Sequence, residues 1–192
     1  MNKRAARTKA GFTLIETLVA ILLLTVAIVA PLSLTTQSLA TAYYARDQIT
    51  AYYLAQEGIE VVRAVRDGNI LKVAIGQSAN LLDNIPDTTG KPFTVNTIPL
   101  ASQSMQLCPS SSSTSCPPLQ IVDLGSGNTM YGYQTGSPNS RFTRYVEVTT
   151  LTSVAGVPEE VRVSSTVSWQ TGNITRSFTI SEDMYRWVKD NS

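Results

Sequence analysis

One carboxylate in this chain stands where carboxylates are costly. Glu16 lies inside the run from Phe12 to Leu34, FTLIETLVAILLLTVAIVAPLSL, which holds no other charge and one proline, Pro31. An ionised acid at the centre of a membrane helix costs about 2.5 to 3.5 kcal/mol on insertion scales and less near its edge, so Glu16 asks for a function. The second chemistry-bearing pair is Cys108 and Cys116, separated by a serine-rich stretch. In an oxidising compartment the two would close a small disulfide loop; two free thiols are the alternative, and a metal site would want more sulfur or nitrogen ligands than the chain offers. The sequence contains no histidine, which removes the most usual general base and the commonest transition-metal ligand. Glu159-Glu160 and Glu182-Asp183 sit beside strand and turn signals and read as solvated edges. The stretch Asp123-Leu124-Gly125-Ser126-Gly127-Asn128 has oxygen ligands that would suit calcium but reads first as a turn. Asn173-Ile174-Thr175 fits a glycosylation sequon, a pattern short enough to arise by chance. No catalytic constellation, metal site or cofactor site is expected, and the reading is of a protein that is not an enzyme.

The element that must position Glu16 is the apolar run itself. As a helix it would reach roughly 35 Å, enough to cross a bilayer core of about 30 Å. Lys3, Arg4, Arg7 and Lys9 precede it with no acid among them, which predicts a cytoplasmic N-terminus and an exported remainder. Over the whole chain 15 basic residues face 14 acidic ones, so no global basic field points to nucleic acid. A cleaved secretory signal ending at Ala40-Thr41-Ala42 would have a shorter apolar stretch. A plain membrane anchor gives no reason for Glu16, and the flanking charges argue against a buried core helix.

The segment Lys3–Glu16, KRAARTKAGFTLIE, resembles the N-terminal signal of type IV prepilins and pseudopilins. In that family a short basic leader ends in glycine, phenylalanine usually follows, and a glutamate stands fifth in the mature chain; Gly11, Phe12 and Glu16 match in register. The resemblance implies cleavage after Gly11 by a prepilin peptidase and N-methylation of Phe12 by the same peptidase/methyltransferase. A residue without a side chain lets extended backbone enter a narrow protease cleft, a physical reason for Gly11. The resemblance further implies that Glu16 pairs with the Phe12 amine of a neighbouring subunit and so sets the register of assembly, an ion pair that a low-dielectric surrounding would strengthen. The partners it implies are other pilin or pseudopilin subunits, the inner membrane and an assembly platform.

Beyond the membrane segment, Ala51, Ala55, Gly58, Val62 and Val65 recur at steps of four and three and lay a small-to-apolar stripe along a continuing helix. Arg46, Asp47, Glu57, Glu60, Arg63 and Arg66 fall largely off that stripe, and Asp67-Gly68-Asn69 supplies a helix stop. Pro31 should kink or loosen the apolar half. Residues 69–140 are rich in Pro, Ser, Thr, Gly and Asn and suggest loops with a few short strands. From Arg141 onward the pattern is antiparallel β. Phe142, Arg144, Val146 and Val148 alternate on one face, and a connection at Ala155-Gly156-Val157-Pro158 follows. The next strand sets Val161, Val163, Val167 and Trp169 on one face, a turn at Gln170-Thr171-Gly172-Asn173 follows, and Ile174, Phe178 and Ile180 mark a third strand. The expected architecture is α+β: a long N-terminal helical spine, membrane-spanning in its first half, packed on a C-terminal antiparallel sheet. Its segments are a basic leader (1–11), the transmembrane and assembly half of the helix (12–38), an amphipathic half (39–68), a loop-rich variable region (69–140) and a β-meander (141–185).

Three functional readings follow. The first is a minor pilin of a type IV pilus-like filament, with a minor pseudopilin of a type II secretion system as its alternative; the ending Val167-Ser168-Trp169, turn, strand also resembles those two groups. The second is a membrane-anchored exported binding domain that does not polymerise. The third is an exported hydrolase, which the lack of histidine disfavours.

Overall fold

The structure is a computed structural model that describes residues 11–80, 82–98, 104–154 and 156–186. The leader residues Lys3, Arg4, Arg7 and Lys9, together with Pro99, Ala155 and Trp187, lie outside the described residues. The chain divides into two compact units, one ending at Arg46 and one beginning at Asp47.

A single helix, α1 (Leu14–Ala74), contributes to both, and it is continuous through Pro31. Its end differs from the expected stop at Asp67-Gly68-Asn69. Asn69 turns inward and is buried; its side-chain amide donates to the Asp83 carbonyl at 2.9 Å, and its Oδ1 accepts from Lys72 Nζ at 3.3 Å. Gly68 faces open space, so its missing side chain costs the helix only propensity there. The stop comes at Gly76, whose φ of +81° suits the left-handed residue that closes helices. Gly76 N–H bonds the Val73 carbonyl at 3.0 Å and Gln77 N–H the Lys72 carbonyl at 2.9 Å, the crossed pair of a Schellman motif.

In the second unit, α1 from Asp47 onward packs on an antiparallel sheet of five strands, ordered β2-β1-β5-β6-β7. The strands are β1 (Phe93–Asn96), β2 (Ser104–Leu107), β5 (Phe142–Val154), β6 (Val157–Thr171) and β7 (Ile174–Tyr185), with β3 (Gln120–Asp123) and β4 (Thr129–Gly132) forming a separate hairpin. The three long strands follow the expected meander. They alternate β-branched and aromatic residues with Ser, Thr and charge, which suits a sheet buried on one face. The loop-rich region is more ordered than its composition suggests, because β1 and β2 extend the sheet through Phe93, opposite Val146. Val157 and Pro158 belong to β6 rather than to a loop: Val154 pairs with Val157, and the register slips on either side of Thr152, which accommodates Pro158 in the ladder.

The core joins Ile59, Val61 and Val62 of α1 to Phe93, Val95, Val146, Val148, Val161, Val163 and Met184. The predicted helix stripe is the buried one: Ala51, Ala55, Gly58 and Val62 are buried, with Leu54 and Ile59 beside them. Gly58 is where α1 comes closest to the sheet. A Cβ there would stand 2.5 Å from Ser165 Oγ and 3.0 Å from Val146 Cγ2, closer than carbon can approach. Asn96 fastens the β3–β4 hairpin to β1: its Nδ2 donates to the Tyr133 carbonyl at 2.9 Å, and its Oδ1 accepts from Tyr133 N–H at 3.0 Å.

Candidate functional site

The helix begins just beyond the predicted cleavage point. Gly11, Phe12 and Thr13 precede Leu14 and are not helical. Thr13 caps the first turn: Glu16 N–H donates to Thr13 Oγ1 at 3.4 Å and to the Thr13 carbonyl at 3.1 Å, and Thr17 N–H reaches the same carbonyl at 3.2 Å. A hydroxyl at this position gives an N–H of the helix start a second acceptor beside the carbonyl. Glu16 is then the third helical residue, an acid in the first turn, where the partial positive charge of the helix end favours it. Its side chain is exposed, and no described residue offers its carboxylate a partner.

Around Glu16 the surface is apolar on every side. Phe12 is 80% exposed, and the large apolar residues from Leu14 to Leu34, among them Ile15, Leu18 and Val19, are exposed as well. The hydroxyls of this helix are turned back onto its own backbone: Thr17 bonds the Leu14 carbonyl (2.8 Å), Thr25 the Leu22 carbonyl (2.8 Å) and Thr35 the Pro31 carbonyl (2.8 Å). Thr36 and Thr41 do the same at 2.9 and 3.0 Å. A surface of this kind is suited to hydrocarbon, where an unsatisfied donor would cost several kcal/mol. The segment is long and apolar enough to cross a membrane.

Gly11 itself meets no atom that would crowd a Cβ. None of the described residues requires glycine there. A family model for the prokaryotic N-terminal methylation motif matches residues 6–30. The chain carries the hallmark of type IV pilin-like precursors. The match covers residues 6–11 ahead of the glycine–phenylalanine step, that step, Glu16 and most of the apolar run, and it leaves the sheet unit unaddressed. Comparison with curated proteins and with solved structures gives no match. The pilin-like motif implies processing by a prepilin peptidase and assembly with other pilin subunits, and with the apolar helix it fits anchoring in a membrane.

The other singled-out residues sit in the sheet unit. Cys108 and Cys116 are joined by a disulfide, Cα to Cα 4.8 Å, and both are buried while the serines between them are exposed or half-buried. The paired acids are engaged rather than simply solvated. Glu182 meets Arg63, and Glu159 meets Arg186 at 3.3 Å. Asp183 accepts two hydrogen bonds from Arg162 at 2.7 and 2.8 Å, which hold its carboxyl below the usual range. Asp123 through Asn128 form the turn of the β3–β4 hairpin, with Gly125 N–H on Asp123 Oδ1 at 2.8 Å. No cluster of three or more potential metal ligands occurs among the described residues.

Two charges were misjudged by the helix pattern. Asp47, expected off the stripe, is buried and accepts from Arg141 at 2.7 Å. Glu57 reaches Arg144 at 2.8 Å and also accepts from Thr97 Oγ1 at 2.6 Å. Arg144 lies on the inward face of β5 with its side chain wholly buried. It donates to the Leu54 carbonyl at 3.0 Å and the Val95 carbonyl at 2.7 Å, while its Nε has no partner. Alternation put Arg144 on the core face, but nothing in the sequence said that a cation there would bridge helix and sheet. Burial pushes the Tyr133 phenol up to about 12, against the opposing pull of Arg144.

Proposed function

We propose that the chain is a minor subunit of a type IV pilus-like filament, cut after Gly11, N-methylated at Phe12 and assembled through its apolar helix. The observation that carries this reading is Glu16: an acid with no partner among the described residues, one turn from the proposed cleavage point, on a run, Phe12 to Leu34, whose other exposed side chains are apolar or carry hydroxyls, those of Thr17 and Thr25 bonded back to the backbone. Cleavage frees an α-amino group on Phe12, and a cation beside that acid on a neighbouring subunit would remove the cost of holding the carboxylate in apolar surroundings. In the precursor the basic leader stays on the cytoplasmic side and the sheet unit is exported, where the Cys108–Cys116 bond is stable. The loop-rich head and the Val167-Ser168-Trp169 strand ending favour a minor over a major subunit.

The test is intact mass and N-terminal sequencing of membrane-extracted protein from cells with and without prepilin peptidase. A chain starting at N-methylated Phe12 only when the peptidase is present supports the reading. An uncut chain, or one cut after Ala42, overturns it. Neighbouring genes separate the pilus from the minor pseudopilin of type II secretion: a secretin and a secretion ATPase favour the latter, retraction machinery the former.

A further inference from the structure

We propose that Thr13 is a positioning residue for leader removal: by capping α1 it ends the helix two residues past the Gly11–Phe12 bond and leaves that bond in the non-helical form a protease can take. The inference rests on cleavage after Gly11 and goes beyond it in assigning a task to a residue outside the glycine, the phenylalanine and the glutamate.

The backbone around the cap carries the argument. In a helix each carbonyl is occupied by the N–H four residues on, and hydrolysis needs water to add to the Gly11 carbonyl carbon. The C–N bond then breaks, and the Phe12 nitrogen leaves as the amine with the proton. If α1 began two residues earlier, Ile15 N–H would bond the Gly11 carbonyl and lock it in the helical ladder. In the structure the first accepting carbonyl is that of Thr13, which takes both Glu16 N–H and Thr17 N–H. Among the described residues no helical N–H reaches Gly11 or Phe12. Thr13 stands at the N-cap, its hydroxyl a second acceptor for Glu16 N–H at 3.4 Å beside its own carbonyl at 3.1 Å, and a residue that caps well holds the start of the ladder at that point. The pressure on this boundary is strong, because lipid offers no water to an unpaired N–H and so favours running the helix further back. Valine, of the same shape without an acceptor oxygen, would let the helix extend over Phe12 or unwind after it. Either outcome loses the fixed boundary. Glycine, by contrast, is nearly as good a cap as threonine although it has no side chain.

That contrast makes the test specific. Full-length precursor is purified in detergent, so that a variant that inserts poorly can still be assayed, and is cut by purified prepilin peptidase under single-turnover conditions. Thr13→Ser and Thr13→Gly are expected to stay within about twofold of the unsubstituted rate, and Thr13→Val to fall about fivefold, the loss corresponding to one N-cap. Amide hydrogen exchange at Glu16, measured without peptidase, should quicken in Thr13→Val and much less in Thr13→Gly. A Val variant cut as fast as the unsubstituted chain would overturn the proposal. So would a Gly variant as slow as Val, since the peptidase would then be reading the hydroxyl itself. If the unsubstituted precursor is not cut at all, the pilin-type processing fails, and the role of Thr13 fails with it.

Discussion

Replacing Gly58 with alanine sets two physical effects against each other, and the structure says which one wins. Alanine is the better helix former by about 1 kcal/mol, so on an exposed helix face the change would stabilise. Here the added Cβ would lie 2.5 Å from Ser165 Oγ, 3.0 Å from Val146 Cγ2 and 3.3 Å from Ser165 Cβ. Ser165 is buried on β6 and Val146 on β5, so neither can swing into solvent. Overpacking of this kind costs about 1 to 3 kcal/mol, and contacts this short belong at the upper end. The net expectation is a loss of about 2 kcal/mol, or a fall in Tm of roughly 4 to 8 °C for a unit of this size. Thermal and urea unfolding of the full chain in detergent, followed by tryptophan fluorescence, would measure it. Ser165→Ala supplies the internal control. Alone it should be neutral or stabilising, because the Ser165 hydroxyl is buried without a partner. Combined with Gly58→Ala it should recover at least half of the loss, a coupling that a double-mutant cycle reads directly. If Gly58→Ala raises stability, helix propensity has won and the close approach of α1 to β6 is wrong.

The buried cation gives a second expectation. Arg144→Ala strands the Leu54 and Val95 carbonyls together with Glu57, and should cost about 3 to 5 kcal/mol in the same unfolding experiment, whereas Arg144→Met should cost less because it fills the space without charge. Tyr133 should give a component near pH 12 in an ultraviolet titration that Tyr133→Phe removes. Its folded value lies above the unfolded one near 10, so the folded state binds more protons in between, and stability should fall as pH rises from about 10 to about 12. Reducing Cys108–Cys116, or replacing both with serine, should cost about 2.5 kcal/mol from the size of the closed loop alone, and intact mass before and after reduction reports the bond. Glu16→Ala should leave leader removal in place while abolishing incorporation into filaments, checked by shearing and fractionation; incorporation at the normal level would favour the non-polymerising anchor.

The helix and the three long strands were legible because their residues repeat. Steps of three and four from Ala51 to Val62 and alternation from Phe142 to Ile180 each follow from burying one face of a regular element. Glu16 stood out for a different reason, the cost of an acid among apolar residues, whereas Gly11 and Phe12 were picked out by the resemblance of this segment to the prepilin signal. What escaped depended on partners far away in sequence. Asn69 looked like a helix stop because asparagine and glycine commonly end helices, but its amide is claimed by the Asp83 carbonyl, and the helix runs on past it. Asp47 and Glu57 looked like solvated charges because Arg141 and Arg144, which neutralise them, lie some ninety residues away. The short strands β1 and β2 carry too few residues for alternation to show, and they are recognisable only from the strand edge they complete. Thr13 gave a signal that went unread: threonine followed three places later by glutamate is a start pattern for helices, and here it lies beside the proposed processing site.

The self-bonded threonines of α1 bear on how a protein can change its surroundings without refolding. Because Thr17, Thr25, Thr35, Thr36 and Thr41 already spend their hydroxyls on carbonyls three or four residues back, those bonds stay the same whether lipid tails or protein side chains lie alongside. If the segment leaves a bilayer for a packed bundle, as proposed above, the move would be a change of neighbours between two media of similar polarity. The free energy deciding its direction would then be concentrated at Glu16, the one ionisable side chain on the segment.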